Sequence, residues 1–349
     1  MDRRLTRYLL RRLWLVVLAV WGLATLVFFM IKAIPGDEAQ SAAGITATPE
    51  QVEVVRERLG LNLPLWGQYL AYLGRLLHGD LGSSIFTFRP VTADLGGALP
   101  ATVELVAAAV LLNLLIGVPV GMLAAAYERR RPDAAIRLGA IAGGALPLFW
   151  LGLILQHLFG ARLGILPISG TQSMGMEAPR VTGMATVDSL LAGDLMGWWD
   201  AVQHLVLPAV TLSVPFIAFA VRLVRTSMIT ALEADHVVMA RAKGASPLRV
   251  MLQHGLRTCL GPIVTLIGMQ TGWMIGAAVL IEGVFGRPGV GAYLTEAVQQ
   301  KDTFAVLGVV LFTGVTVTLV NLAVDLVQLV SDPRVRAAQL GASPLGAKA

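Results

Sequence analysis

Charge is scarce in this sequence. Asp, Glu, Lys and Arg make up 14% of its 349 residues, where soluble domains carry about a quarter. With 56% hydrophobic residues and a mean hydropathy of +0.71, the composition fits a polytopic membrane protein far better than a water-soluble globule. Cysteine is reduced to Cys259 alone, which excludes an intramolecular disulfide and a cysteine metal site. A clustered basic face is also missing. The net charge of +5 is scattered between apolar blocks, so the nucleic-acid reading that a high isoelectric point invites does not hold and no nucleic-acid partner is expected. The chain has no G-x-x-x-x-G-K-[ST] phosphate loop, so any ATP must be bound elsewhere. It also has no H-E-x-x-H and no G-x-S-x-G, and no pair of carboxylates within its apolar runs has a spacing that suggests hydrolysis, which argues against an intramembrane enzyme.

What is present is a set of six uncharged runs at 13–31, 105–127, 138–161, 201–221, 258–281 and 303–324, each 19 to 24 residues long. About 20 helical residues at roughly 1.5 Å each cross a hydrocarbon core of about 30 Å, so every run is long enough to span. A backbone in lipid must satisfy its own hydrogen bonds, which makes these runs helices and the fold all-α. Pro147, Pro208, Pro215 and Pro262 are expected to kink them. Lys and Arg in alternate connections divide 18 to 8, with Lys32 at a span edge. The richer side holds both termini, which are therefore expected in the cytoplasm, with the connections near 33–100, 162–200 and 283–302 facing outward. The Arg-rich start is compatible with a cleaved signal peptide, although the 19 apolar residues that follow exceed the usual core of about 7 to 15.

The first outward connection contains Thr48-Pro49-Glu50-Gln51, a capping box with Pro at the first helical position, followed by Val52, Val55 and Leu59 on one face and a stop at Gly60. A short amphipathic helix is expected there. In the connection 162–200, Trp198 and Trp199 resemble interfacial anchors. The segment 222–257 is far longer than a simple joint needs. A helical stretch over 227–243 meets Gly244, the preferred residue past a helix end, and Ser246-Pro247 then starts a new helix over 248–256. The result is a pair of short helices bent at Gly244, basic at the corner through Arg241 and Lys243 and suited to another protein's groove. A loop lying on anionic headgroups is the alternative.

Asp235-His-Val-Val-Met-Ala-Arg-Ala-Lys-Gly244 followed by Leu252-Gln-His-Gly-Leu-Arg257 resembles the coupling loop of ABC importer permeases of the dipeptide and oligopeptide family. Further matches are Arg7-Tyr-Leu-Leu-Arg-Arg12, Ile34-Pro-Gly-Asp37, Gly79-Asp-Leu-Gly82, Leu99-Pro-Ala-Thr-Val-Glu-Leu105 and Phe149-Trp-Leu-Gly152. Glu282-Gly-Val-Phe-Gly-Arg-Pro-Gly-Val-Gly291, Asn321-Leu-Ala-Val-Asp325 and Asp332-Pro-Arg334 continue the pattern. The resemblance runs in order from about residue 5 to 336. One departure is at Val238, Met239 and Ala240, where the broader importer motif has Glu-Ala-Ala, so no coupling salt bridge from a Glu is expected there.

The resemblance implies a type I importer permease fold of six transmembrane helices with a partly helical segment between the first two. Residues 1–34 would form the N-terminus and first span, 35–97 the extracytoplasmic segment, 98–330 the five-helix transport domain with its coupling loop at about 226–257, and 331–349 a cytoplasmic tail. It implies uptake of short peptides across a bacterial-type inner membrane, driven by two ATPase subunits that bind ATP and Mg. The other partners would be a second permease and an extracytoplasmic peptide-binding protein. Asp235, Ala240, Arg241, Ala242, Lys243, Gly244, Ser246 and Pro247 would then meet an ATPase subunit. Relatives carrying nickel complexes, glutathione or peptide antibiotics leave the cargo open.

Polar residues within the runs are candidates for the pathway: Asn113, Gln156, His157 and Gln270, with Glu104, His204, Asn321 and Asp325 near span ends. Structural hydrogen bonding between helices is the competing role for each, most of all for Asp325 with Arg334 and Arg336 close in sequence. An ion-driven secondary transporter would favour more intramembrane carboxylates and two repeated halves, neither of which stands out.

Overall fold

The computed structural model describes residues 3–33, 37–44 and 46–331 and folds them almost entirely into helices. The matches at 34–36 and 332–334, and the tail with Arg334 and Arg336, lie outside the described residues. Helix α1 (Arg3–Ala33) is followed by three shorter helices, α2 (Glu38–Ala43), α3 (Pro49–Leu59) and α4 (Leu65–Leu77). The expected capping box forms: Gln51 N donates to Thr48 Oγ1 and the Gln51 side chain accepts from Thr48 N, while Gly60 ends α3 in the left-handed region.

The long crossing helices come next. α5 (Val91–Leu112) passes through a π turn at Asn113–Gly117 into α6 (Val118–Ala126). α7 (Arg131–Ala145) and α8 (Leu148–Leu155) form the third element, which closes with wide turns at Gln156–Arg162. α9 (Ala185–Leu191) precedes α10 (Leu195–Leu232), and α11 (Asp235–Ala242) leads to α12 (Pro247–Arg249). α12 runs through π turns at Val250–Gly255 into α13 (Leu256–Phe285), and α14 (Val290–Gln299) and α15 (Thr303–Ser331) complete the order.

Among the described residues, Leu10–Ala33, Val91–Ala126, Leu195–Leu232, Pro247–Phe285 and Thr303–Leu326 are each long and apolar enough to cross a membrane. Arg131–Ala145 and Leu148–Arg162 make a sixth crossing if the bent pair counts as one span. It crosses as one. Its first turn is tied to α10 near the Leu232 end by Asp133, which Arg225 grips with two bonds of 2.6 and 2.7 Å. Its last turns are tied at the opposite end of the bundle, where Gln156 Nε2 donates to Val284 O at 3.0 Å.

The kink expected at Pro147 is a bend of 102°. Pro147 caps α8 in the extended region and Leu146 is extended as well, so the helical ladder breaks completely instead of tilting. Pro208, Pro215 and Pro262 by contrast stay inside continuous helices. Two other expectations are corrected. The stretch 227–243 is not one helix, because α10 ends at Leu232 and Ala234 is extended before α11 begins. The helix after Gly244 is not short, because it continues without a break through α13 to Phe285.

α10 is the central helix and packs against α5, α6, α7 and α13. Leu105, Ala109, Leu212, Met274, Ala278, Ile281 and Phe285 fill the space between α5, α10 and α13. Small residues permit the approach of backbones that lipid cannot drive by hydrophobicity. At Gly121 an added Cβ would lie 2.7 Å from Val224 Cβ and 2.9 Å from Val221 O, so α6 and α10 touch there only because the position has no side chain.

Candidate functional site

The eight residues singled out around Gly244 come together at one corner of the bundle. Ala234 turns the chain out of α10, and α11 places Asp235 in its first turn and Ala240, Arg241 and Ala242 in its last. Lys243 ends the helix, and Gly244 takes φ +83°, where an L side chain is strained. Ser246 then caps α12, its hydroxyl accepting from Arg249 N at 3.4 Å, with Pro247 at the first helical position.

Burial alternates sharply across this corner. Val237 and Val250 are sealed into the bundle. Arg241, Lys243, Gly244, Ser246 and Pro247 face solvent, and Val238, Met239 and Leu248 are left as large exposed apolar groups. The departure at Val238 and Met239 therefore presents apolar surface where a glutamate would present charge. Beside the corner opens a cleft of about 550 Å³, whose walls include Glu128, Arg130, Glu233, Arg241, Pro247 and Met251. An apolar ridge with two cations and an adjoining cleft has the shape and chemistry of a protein-docking surface.

The polar residues inside the bundle divide. Asn113 Nδ2 donates to Gln270 Oε1 at 2.6 Å, and Gln270 Nε2 donates to Phe216 O at 3.1 Å. This two-bond chain through Gln270 joins the π turn after α5 to α13 and α10, with Asn113 and Gln270 both buried. Gln156 instead donates to the loop carbonyl of Ile168 at 2.7 Å and to Val284 O in the last turn of α13 at 3.0 Å. His157 is exposed. Of the four pathway candidates, then, two meet each other and two stand apart. Asp325 pairs with Arg12 of α1 at 2.7 Å. His204 is buried, with Nδ1 2.8 Å from Asp200 O.

The end of the bundle opposite the Gly244 corner carries a group that the sequence does not announce. Arg287 stands in the glycine-rich turn after α13. It is buried, and its Nη2 lies 2.7 Å from Glu104 Oε2. Glu104 Oε1 accepts from both the amide and the hydroxyl of Thr186, each at 2.7 Å. Burial draws the guanidinium below its ordinary range while the Glu104 charge opposes that shift. Glu282 is buried beside them and accepts from Gly291 N at 2.6 Å.

Nearby, Asp188 organises the connection before α10. It accepts from the amides of Val181, Thr182 and Gly183 and from the Thr182 hydroxyl at 2.7 to 3.2 Å. Burial alone would raise its carboxyl, but these donors hold it below the usual carboxylate value. The sequence signal for these groups is a charged residue just beyond an apolar run, Glu282 or Arg287, which spacing alone does not pair.

A bundle of crossing helices with an exposed, basic, bent-helix corner defines a polytopic membrane protein. Residues 117–337 match the family described as Binding-protein-dependent transport system inner membrane component, and residues 5–106 match its N-terminal companion, Binding-prot-dependent transport system membrane comp, N-term. The chain belongs to this family and is a permease component of an ABC importer, not its ATPase.

It is 40% identical to the probable D,D-dipeptide transport system permease protein DdpB of Escherichia coli (strain K12), over 93% of this chain and 96% of that protein. It is 37% identical to the di/tripeptide transport system permease protein DppB of Pseudomonas aeruginosa (strain UCBPP-PA14), over 94% and 98%. A chain of the MetNI methionine ABC transporter, solved in inward-facing conformations, superimposes with a TM-score of 0.52 at 15% identity, covering 67% of this chain and 94% of that one. The fold is therefore that of a type I ABC importer permease.

Proposed function

We propose that the chain forms half of a translocation pathway for short peptides. A second, similar permease supplies the other half, one of two ATPase subunits docks on the Gly244 corner, and an extracytoplasmic binding protein delivers the cargo. The observation that carries this reading is the near full-length similarity to two permeases named for dipeptides and for di- and tripeptides. The 18-to-8 division of basic residues supports an inner-membrane orientation with both termini and the Gly244 corner in the cytoplasm. ATP and Mg belong to the ATPase subunits.

The mechanism follows from the continuity of the helices beside the corner. On one side Leu195–Leu232 and on the other Pro247–Phe285 run the whole depth of the bundle. A push on the ridge of Val238, Met239 and Leu248 therefore reaches the far ends of α10 and α13 as rigid-body motion, as two-state coupling between distant sites requires. The Asn113–Gln270–Phe216 chain of hydrogen bonds ties the π turn after α5, a local irregularity common at hinges, to both levers. On this reading Asn113 and Gln270 take part in transmitting the motion, and Gln156 and His157 remain pathway candidates.

The test is uptake of labelled di- and tripeptides by cells carrying the complete importer, compared with cells lacking this chain. Energy-dependent uptake that disappears with the chain is the expected result. Undiminished peptide uptake without the chain would refute the cargo assignment.

A further inference from the structure

Between α1, α4 and α15 lies a partly open cavity of about 60 Å³, room for a few waters or for one phosphate group. Its floor is apolar, with Phe28, Leu307 and Leu311 buried beneath it. Its polar wall is formed by Lys32, Gln68, Tyr72, Arg75 and Asp80. Two of these groups are unsatisfied. Tyr72 is 8% exposed, and its hydroxyl has no hydrogen-bond partner among the described residues. Gln68 spends its amide nitrogen on Leu61 O and Leu63 O at 3.0 and 2.8 Å, while its buried Oε1 has no partner among the described residues. A buried polar atom without a partner costs free energy unless something outside the chain completes it.

The position of the cavity narrows what that is. Lys32 stands in the last turn of the membrane-crossing stretch Leu10–Ala33, at the level where a bilayer's hydrocarbon gives way to headgroups. α4 shows the form of an interfacial helix. It buries Tyr72 and exposes Trp66, Leu70 and Leu77, while α1 exposes Trp21, Leu26, Phe29 and Met30 alongside. A ligand entering here comes from the lipid side with acyl chains to lay on those residues.

The polar wall asks for both kinds of hydrogen-bonding group. The Tyr72 hydroxyl and the cations of Lys32 and Arg75 suit a phosphate oxygen, while Gln68 Oε1 and the Asp80 carboxylate suit a donor. We infer that the cavity between α1, α4 and α15 is a binding site for a phospholipid whose headgroup carries both a phosphate and a primary ammonium, of the phosphatidylethanolamine class. Phosphatidylcholine offers the phosphate but no N–H donor for Gln68 and Asp80. The site stands apart from the Gly244 corner, and its occupancy does not depend on the transported cargo.

Native mass spectrometry of the assembled importer containing the full chain tests this, with phosphatidylethanolamine, phosphatidylcholine and inorganic phosphate as the added probes. One phosphatidylethanolamine retained per chain is expected, with about tenfold preference over phosphatidylcholine, and Tyr72→Phe combined with Arg75→Gln should lower retention by a similar factor. Tyr72→Phe alone keeps the ring that packs on Phe28 at 5.5 Å between centroids, so it remains informative, through a smaller loss, if the double variant fails to assemble. Equal retention of the two lipids, or retention unchanged in the variants, would mean that lipid binds without recognition by these groups, and no retained lipid would mean that the cavity holds water only; each would overturn the proposal. Displacement of the lipid by millimolar inorganic phosphate would assign the site to free phosphate and overturn it equally.

Discussion

Arg287 Nη2 and Glu104 Oε2 meet at 2.7 Å in the interior of the bundle, although 183 residues separate them in the chain. The pair binds the turn after α13 to α5, and through Thr186 it binds both to the connection before α10. The end of the permease opposite the Gly244 corner is thereby cross-linked between α5, the turn after α13 and the connection before α10.

Removing one member of this pair leaves a buried charge without compensation. Arg287→Met is expected to lower stability in detergent by about 3–5 kcal/mol, and adding Glu104→Gln should restore much of that loss. Chemical denaturation of the two variants checks this. Losses that simply add would mean that the pair is not a coupled unit.

Gly244 is a position of backbone strain and not of crowding, since an added Cβ would meet nothing within 4 Å. Gly244→Val should therefore cost about 1–2 kcal/mol through φ alone while leaving membrane insertion intact. In the assembled importer it is expected to uncouple ATP hydrolysis from uptake. Transport per ATP equal to that of the unsubstituted protein would count against the corner as the transmitting element.

At Gly121 the situation is reversed, with backbone conformation ordinary and space absent. Gly121→Ala forces α6 and α10 apart against Val224 and Val221, and overpacking of this kind costs about 1–3 kcal/mol. A lowered unfolding midpoint in detergent with retained helix content is the expected outcome; an unchanged midpoint would show that the contact is loose.

Asp188 sets a pH response in the connection before α10. Its folded carboxyl lies below the ordinary 3.8, so the ionised form is favoured by folding. The contribution is fully present above that ordinary value and is lost as pH falls through the lower folded one. Hydrogen exchange at the amides of Thr182 and Gly183 should stay protected from neutral pH down to about 4 and rise only below it. In Asp188→Asn it should be raised at neutral pH. Protection that declines between neutral pH and 5 would contradict this.

The crossing helices are legible in the sequence because lipid leaves the backbone no other choice, and the capping box at Thr48 because its signal is local. The corner at Gly244 is legible for the same reason: a glycine past a helix and Ser246-Pro247 ahead of the next are nearest-neighbour chemistry. Features set by packing between distant segments are not. Pro147 marks a kink, but its companion Leu146 and a right-angle turn between α7 and α8 depend on both halves seating against α10. The end of α10 at Leu232 has no glycine or proline to announce it. Glu104 with Arg287, and Asp133 with Arg225, are partners only in three dimensions. Asn113 and Gln270 stand out in the sequence as polar groups in apolar runs, but that they bond to each other across 157 residues is visible only in three dimensions.

The most direct measurement is ATPase activity of the complete importer in lipid, with and without its binding protein loaded with short peptides. Hydrolysis stimulated by the loaded protein, and abolished as a response in Gly244→Val, is the result expected of a peptide permease that couples through this corner. Hydrolysis that ignores the loaded binding protein, or an assembly from which no ATPase co-purifies with the chain, would contradict the account.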